Sequence, residues 1–237
     1  LVSVRGLRVV RRGREVLHSL DCDFPGGVIT GVIGPSGCGK STLMRSVAGV
    51  QLIASGTVTV LGSPAGSAAL RGRIGYATQA PAVYADLTVR ENLQYFAAVQ
   101  GVPTSQITAV LDAVGLAGAA GQLAGELSGG QLARTSLSVA LLGDCKVLLL
   151  DEPTVGLDPV LRQNLWGLFR RLADEGRSLL ISSHVMDEAE RCDWLLLMRD
   201  GAIIAHSTPD DLRRRTGADT VEQAFLRLVK DREPSLS

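Results

Sequence analysis

The chain has 237 residues, 46% hydrophobic and 20% charged, with 24 Lys and Arg balanced by 24 Asp and Glu. That length and apolar content allow a large buried core and exclude a disordered chain. A formal net charge of zero argues against a nucleic-acid binder that gains affinity by counterion release, and no run of about 20 apolar residues offers a membrane-spanning helix.

Residues 1–33 alternate apolar and polar in short segments, with turns at Gly13 and Pro25-Gly26-Gly27. This pattern predicts antiparallel β-structure leading into a short buried strand over residues 28–33. Gly34-Pro35-Ser36-Gly37-Cys38-Gly39-Lys40-Ser41-Thr42 follows and matches the phosphate-loop pattern G-x-x-x-x-G-K-[ST] without a mismatch. Its glycines let backbone N–H groups converge on phosphate oxygens. The helix predicted over residues 43–48 then presents its N-terminus to the same anion. In this motif Lys40 reaches the β- and γ-phosphates, the Ser41 hydroxyl holds Mg²⁺, and Thr42 positions the α- and β-phosphates.

Residues 57–61 and 74–78 are further strand candidates. Residues 46–70 carry no charge but are broken by Gly49, Gly56, Gly62, Pro64 and Gly66. From 86 to 143 the chain reads mainly as helices, with breaks near residues 101–103 and 115–130, and Asp86 or Thr88 as cap of the first. A helix is expected over residues 132–142. Lys146-Val147-Leu148-Leu149-Leu150-Asp151 is a short apolar run ending in acid, as in a central parallel strand. Residues 159–173 form an amphipathic helix capped by Asp158, with Pro159 in its first turn and Gly176 beyond its end.

Residues 178–182 give the next strand, and His184 stands just past it, at the edge where open α/β sheets place their ligands. Residues 194–205 read as a hairpin turning at residues 199–201. Two helices close the chain, the last with Val221, Phe225, Leu228 and Val229 on one stripe. Cys22, Cys38, Cys145 and Cys192 are far apart, form no C-x-x-C pair, and read as reduced thiols. Residues 1–20 have scattered arginines rather than the apolar centre of a signal peptide.

Leu127-Ser128-Gly129-Gly130-Gln131 precedes the helix expected at 132. With it in place, the whole chain resembles the ATP-binding cassette (ABC) ATPases. Residues 127–131 match the family signature letter for letter, and Val147–Glu152 resembles the acidic strand with its catalytic glutamate. Gln79 falls at the glutamine loop, Val155-Gly156-Leu157-Asp158 resembles the D-loop, and Ser182-Ser183-His184 resembles the switch histidine.

The resemblance implies an α/β fold. Its core is of P-loop NTPase type, a mainly parallel sheet flanked by helices, with an N-terminal antiparallel β-subdomain and an inserted α-helical subdomain. The 237 residues then form one nucleotide-binding domain, divided as 1–85, 86–143, 144–205 and 206–237. The implied cofactors are ATP and Mg²⁺. Glu152 would polarise the attacking water, His184 would contact the γ-phosphate and Glu152, Asp151 and Gln79 would join Ser41 around the metal, and Asp158 would serve an interface. Ser128, Gly129, Gly130 and Gln131 would act on nucleotide held by a second cassette, a homodimer or paralogue partner. Relatives have an aromatic near the N-terminus that stacks on adenine. Here Arg11-Arg12 stands in that region, and Arg12 is the expected stacking residue. Gly27 stands where many relatives have an acid.

Residues 154–159, 183–193 and 222–226 resemble the branch that exports drugs, antibiotics and lipids, in which the cassette docks beneath a separate membrane permease. The implied place is the cytoplasmic face of a membrane, with no span of its own and no nucleic-acid partner. Tyr84, Leu87, Leu93, Tyr95 and Phe96 are candidates to receive a permease helix. The alternatives are an importer ATPase or a soluble ABC protein acting on ribosomes or DNA.

Overall fold

The computed structural model describes residues 1–232. In chain order the elements are β1 (Val2–Arg11), β2 (Arg14–Phe24), β3 (Ile29–Ile33), α1 (Lys40–Ala48), β4 (Ser55–Val60), β5 (Ser63–Pro64), β6 (Ile74–Ala77), α2 (Val89–Gln100), α3 (Gln106–Ala113) and α4 (Gly129–Leu141). They continue with β7 (Val147–Asp151), α5 (Pro159–Asp174), β8 (Ser178–Ser183), α6 (Met186–Ala189), β9 (Trp194–Arg199), β10 (Ala202–Ser207), α7 (Pro209–Thr216) and α8 (Val221–Arg232).

Two sheets organise them. An antiparallel sheet has the order β2-β1-β4-β5, and a six-stranded sheet has the order β10-β9-β3-β8-β7-β6. In the second, β9, β3, β8, β7 and β6 run parallel and only β10 is antiparallel. The expected β-region at residues 1–33 is therefore split. β1 and β2 pair with each other, while β3 leaves them for the centre of the parallel sheet.

Side-chain alternation explains why β7 is apolar throughout. Leu148 and Leu150 enter a core shared with the helices α2 to α5, whereas Val147 and Leu149 enter a second core shared with α1 and the antiparallel sheet. A strand buried on both faces cannot alternate apolar with polar. Asp151 continues the Val147–Leu149 parity, so its carboxyl falls on the α1 side. Opposite it in register stands Ser182 of β8.

Local chemistry sets the helix ends. Thr88, not Asp86, caps α2 in a capping box with Glu91. Ser128 and Gln131 build the same device on α4, which satisfies two otherwise orphaned N–H groups reciprocally. This corrects the start of that helix from residue 132 to Gly129, so the signature glycines occupy a first helical turn rather than the loop before it. Asp158 accepts from the Leu161 N–H at 3.0 Å and caps α5 as expected. The stripe on α8 packs inward, with Val221 and Ala224 fully buried and Phe225, Leu228 and Val229 against the same core.

Candidate active site

The phosphate loop joins β3 to α1 in a conformation that only its glycines allow. Gly39 has φ +108°, and a Cβ there would lie 2.7 Å from Leu17 Cδ2. A Cβ on Gly34 would lie 2.2 Å from the Met198 carbonyl oxygen. The loop is fastened on both sides, by the Gly34 N–H donating to Ser183 O at 3.3 Å and the Gly201 N–H donating to Cys38 O at 3.0 Å. Cys38 is buried, and burial pushes its thiol pKa up.

A cavity of about 280 Å³ opens over this loop, lined by Ser36, Gly37, Gly39, Lys40, Ser41, Thr42, Gln79 and Glu152, with Arg11 and Val16 at its margin. Ends of several separate elements therefore meet at one place, the carboxyl edge of the parallel sheet. A larger cavity of about 820 Å³ between α3 and α5, lined in part by Asp112, Gln163 and Arg171, contains none of the motif residues. Size alone does not locate the chemistry.

The charges in the smaller cavity are tightly interlocked. Lys40 is 5% exposed; its Nζ donates to the Gly34 and Pro35 carbonyls at 2.8 and 3.1 Å and lies 3.6 Å from Glu152 Oε1. Gln79 Nε2 donates to Glu152 Oε2 at 3.1 Å, and His184 Nδ1 lies 3.3 Å from Glu152 Oε1. Three sequence-selected residues thus surround a fourth. Pro35 contributes through its backbone carbonyl.

Glu152 itself has φ +53°. The left-handed region costs a non-glycine residue about 1–2 kcal/mol and persists only where surrounding contacts hold it. Ser182 provides them. Its carbonyl and its hydroxyl both accept from the Glu152 N–H, at 3.2 and 2.9 Å, and the same hydroxyl donates to Asp151 Oδ1 at 2.6 Å. Asp151 is 3% exposed. The Ser182 hydroxyl's role was not legible from spacing, because it depends on the β7–β8 register.

Ser41, Gln79 and Asp151 offer a hydroxyl, an amide and a carboxylate oxygen. Hard oxygen donors in this small number suit Mg²⁺, which keeps several waters and binds largely through substrate phosphates. Among the described residues there is no cluster of three His, Cys, Asp or Glu that would hold a metal without such help.

Two candidate residues are placed differently from expectation. Arg12 forms a two-residue turn with Gly13 between β1 and β2, both at positive φ, 51° and 78°. Arg11 rather than Arg12 lines the cavity, because the hairpin turn directs its own first residue elsewhere. Leu93 is fully buried, so it is core rather than part of a docking groove. Tyr84 and Tyr95 remain 45% exposed and pack edge to face at 5.0 Å, with Phe96 beside both. Asn92 organises that cluster: its amide accepts from Tyr84 N–H and donates to the carbonyls of Tyr84, Leu87 and Thr88.

Residues 127–131 do not line the phosphate cavity of their own chain. Ser128 and Gly129 are exposed. Arg134, one turn along α4, donates to the Val114 and Gly115 carbonyls at the end of α3, fixing the signature helix from behind. Burial lowers the Arg134 pKa. Leu157, just before Asp158, is buried beside Gly130, where a Cβ would meet it at 3.4 Å. The two segments expected at an interface are therefore packed together within one chain.

Comparison with known proteins agrees with this geometry. The family model described as ABC transporter matches residues 17–155. The chain is 43% identical over 220 residues to the probable multidrug ABC transporter ATP-binding protein YbhF of Escherichia coli (strain K12), covering 90% of this chain and 38% of that protein. It is 35% identical over 229 residues to the Nod factor export ATP-binding protein I of Rhizobium sp. (strain N33), covering 93% and 75%. A solved ATP-binding subunit of an ABC transporter superposes with a TM-score of 0.88 at 25% identity, over 97% of this chain and 99% of that one. The dimeric cassette MJ0796, solved in a post-hydrolysis state with ADP and Pi, shares the fold at a TM-score of 0.82 and 21% identity, over 88% and 98%. On these matches and this site, the chain belongs to the ABC transporter family.

Proposed function

We infer that this chain is the ATP-hydrolysing subunit of an exporter, closing with a second cassette over two ATP molecules and driving a separate membrane permease. The observation that carries this is a phosphate-loop cavity lined by Lys40, Gln79 and Glu152, with His184 set against Glu152 behind that lining, to which the chain supplies no signature residue of its own. A phosphate site that its own signature residues do not line is completed, in this reading, by a second chain. Gly129 and Gly130, exposed and partly exposed at the start of α4 behind the Ser128 cap, present backbone N–H groups at a helix N-terminus, which suits an anion held by that partner. Asp158 lies exposed at the head of α5 for the same interface.

When bound, Mg²⁺ would neutralise charge on the phosphates, held by Ser41, Gln79 and Asp151. The residues of this chain do the rest. Lys40 exchanges its loop carbonyls for phosphate oxygens, and Glu152 orients water by accepting a hydrogen bond from it. His184 keeps the Glu152 carboxylate aimed. Arg11 and Val16 border the place of the base.

The export direction rests on the curated relatives, whose names specify multidrug and Nod factor export. The chain spans 38% of the length of YbhF, so cargo and partners belong to the proposal. No helix among the described residues is long and apolar enough to cross a membrane. In this reading the chain works docked to a permease at the cytoplasmic face. The exposed Tyr84–Tyr95 pair is the proposed seat of its helix.

Complementation tests the shared site. Lys40→Ala and Ser128→Arg chains should each be inactive, while their mixture should recover turnover by pairing one intact phosphate loop with one intact signature. A mixture as dead as its components would reject the shared site.

A further inference from the structure

Glu188 is a buried carboxylate with no place in the machinery described above. It is 2% exposed, on the short helix α6, and three side chains donate to it. Thr154 Oγ1 donates to Oε1 at 2.7 Å, Trp166 Nε1 donates to Oε1 at 3.4 Å, and Ser183 Oγ donates to Oε2 at 2.8 Å. Arg162 Nε stands 4.0 Å from Oε1. A buried carboxylate is tolerated only when paired or fully hydrogen-bonded, and here the donors come from three separate segments.

Two of those segments are the ones that carry the chemistry. Thr154 is two residues past Glu152, on the turn that holds Glu152 at φ +53°. Ser183 immediately precedes His184, and its hydroxyl also accepts from the Val185 N–H at 3.0 Å. One carboxylate therefore ties the loop after β7 to the last residue of β8, across the gap that Glu152 and His184 span at 3.3 Å. The third segment, α5, adds Trp166 and also Arg162, whose Nη2 donates to Leu157 O at 3.3 Å.

We propose that Glu188 is a positioning residue for hydrolysis, a clamp that holds the strained Glu152 turn and the His184 loop in one fixed relation through Thr154 and Ser183. It deepens the function proposed above and rests on it. The clamp touches neither nucleotide nor water, so it sets turnover and leaves nucleotide affinity alone. Thr154 and Trp166 both address Oε1, which predicts a graded series. Glutamine keeps one acceptor for both and lets the Ser183 hydroxyl rotate to accept, whereas alanine leaves all three donors without a partner.

The test uses the full chain with Mg·ATP well below its melting temperature, with kcat and KM separated. Glu188→Ala and Thr154→Val should each lower kcat about tenfold or more, with KM for ATP within about twofold, because small misplacement of a catalytic group costs rate rather than binding. Glu188→Gln should recover most of the loss, and the Glu188→Ala/Thr154→Val double variant should be no slower than Glu188→Ala alone. If Glu188→Ala fails to fold, Thr154→Val and Ser183→Ala decide. Wild-type kcat in the folded variants, or a change in KM alone, overturns the clamp.

Hydrogen exchange provides a readout independent of turnover. Amides of residues 152–157 and 183–187 should exchange faster together in Thr154→Val, and unchanged exchange in the second segment would overturn the coupling. Absence of turnover in the wild-type chain would strike the proposed function instead, with hydrogen exchange still judging the clamp.

Discussion

His184 Nδ1 lies 3.3 Å from Glu152 Oε1, although the two residues stand past the ends of different strands. The contact exists because β7 and β8 are parallel neighbours in register, Asp151 opposite Ser182, so the residues that follow each strand emerge at the same edge. Glu152 also receives Gln79 and Lys40 there. Its carboxylate is the node of the site, and the first two predictions follow from that.

Glu152→Gln keeps the shape but exchanges a carboxylate oxygen for an amide N–H. Turnover should fall about 10²–10⁴-fold, the span typical of losing a general base. ATP should still bind, and size-exclusion chromatography should detect a dimer with ATP and a monomer without it. A monomer under both conditions would contradict closure over nucleotide.

His184→Ala removes the group 3.3 Å from that carboxylate and leaves the phosphate loop intact. Turnover should drop about 10²-fold, comparable to removing one preorganised donor, while equilibrium binding of a fluorescent ATP analogue stays close to wild type. Loss of binding instead would place His184 in the nucleotide pocket's structure rather than its chemistry.

Gly39→Ala introduces a side chain at φ +108° and 2.7 Å from Leu17 Cδ2. Strain of that kind costs about 1–2 kcal/mol or more. The variant should melt several degrees lower, about 2–4 °C per kcal/mol for a domain of this size, and bind ATP weakly in titration calorimetry. An unchanged melting temperature would show that the loop relaxes freely.

His206 is half-buried beside Phe24 and Trp194, and burial lowers its pKa, partly opposed by Asp23. A lowered imidazole pKa means the unfolded chain binds a proton before the folded one does. Both states are neutral above about pH 6.5, and stability declines as pH falls from there towards the folded pKa. Denaturant melts from pH 7.5 to 5 should lose more stability for the wild type than for His206→Gln. Parallel curves would exclude this histidine as a contributor.

The thiols should be silent in the native state. Burial pushes Cys22 up to about 12 and raises Cys145 and Cys192 as well. A chromogenic disulfide reagent at pH 8 should therefore react with these three only after unfolding in guanidinium. Rapid native labelling of any of them would contradict the packing of its segment.

Spacing alone identified the phosphate loop and the acid-ended strand, since each is a local arrangement: glycines for a turn, apolar residues for a buried strand. The signature at residues 127–131 was legible by resemblance to the family, and its place in the first turn of α4 emerged only with the Ser128–Gln131 capping box. Capping is equally local, and Asp158 and Thr88 were both legible as caps. Arg11 and Arg12 show where locality fails. Adjacent residues face different ways, and only the two-residue turn at Arg12-Gly13 decides which one borders the cavity. Leu93 failed for a related reason, since helical periodicity cannot separate a core face from a groove.

The amino-acid order by itself therefore determined the anion-binding loop and the acid-ended strand, and its resemblance to the family named the fold class and the candidate site residues. The tertiary structure alone decided how those groups meet. Ser182 reaches both Asp151 and Glu152 only through parallel-strand register, and Glu188 collects Thr154, Ser183 and Trp166 from three segments only once α5 and α6 have packed. Hydrogen bonds between residues distant in sequence depend on where the backbone returns, and that is set by the burial of two cores on opposite faces of one sheet.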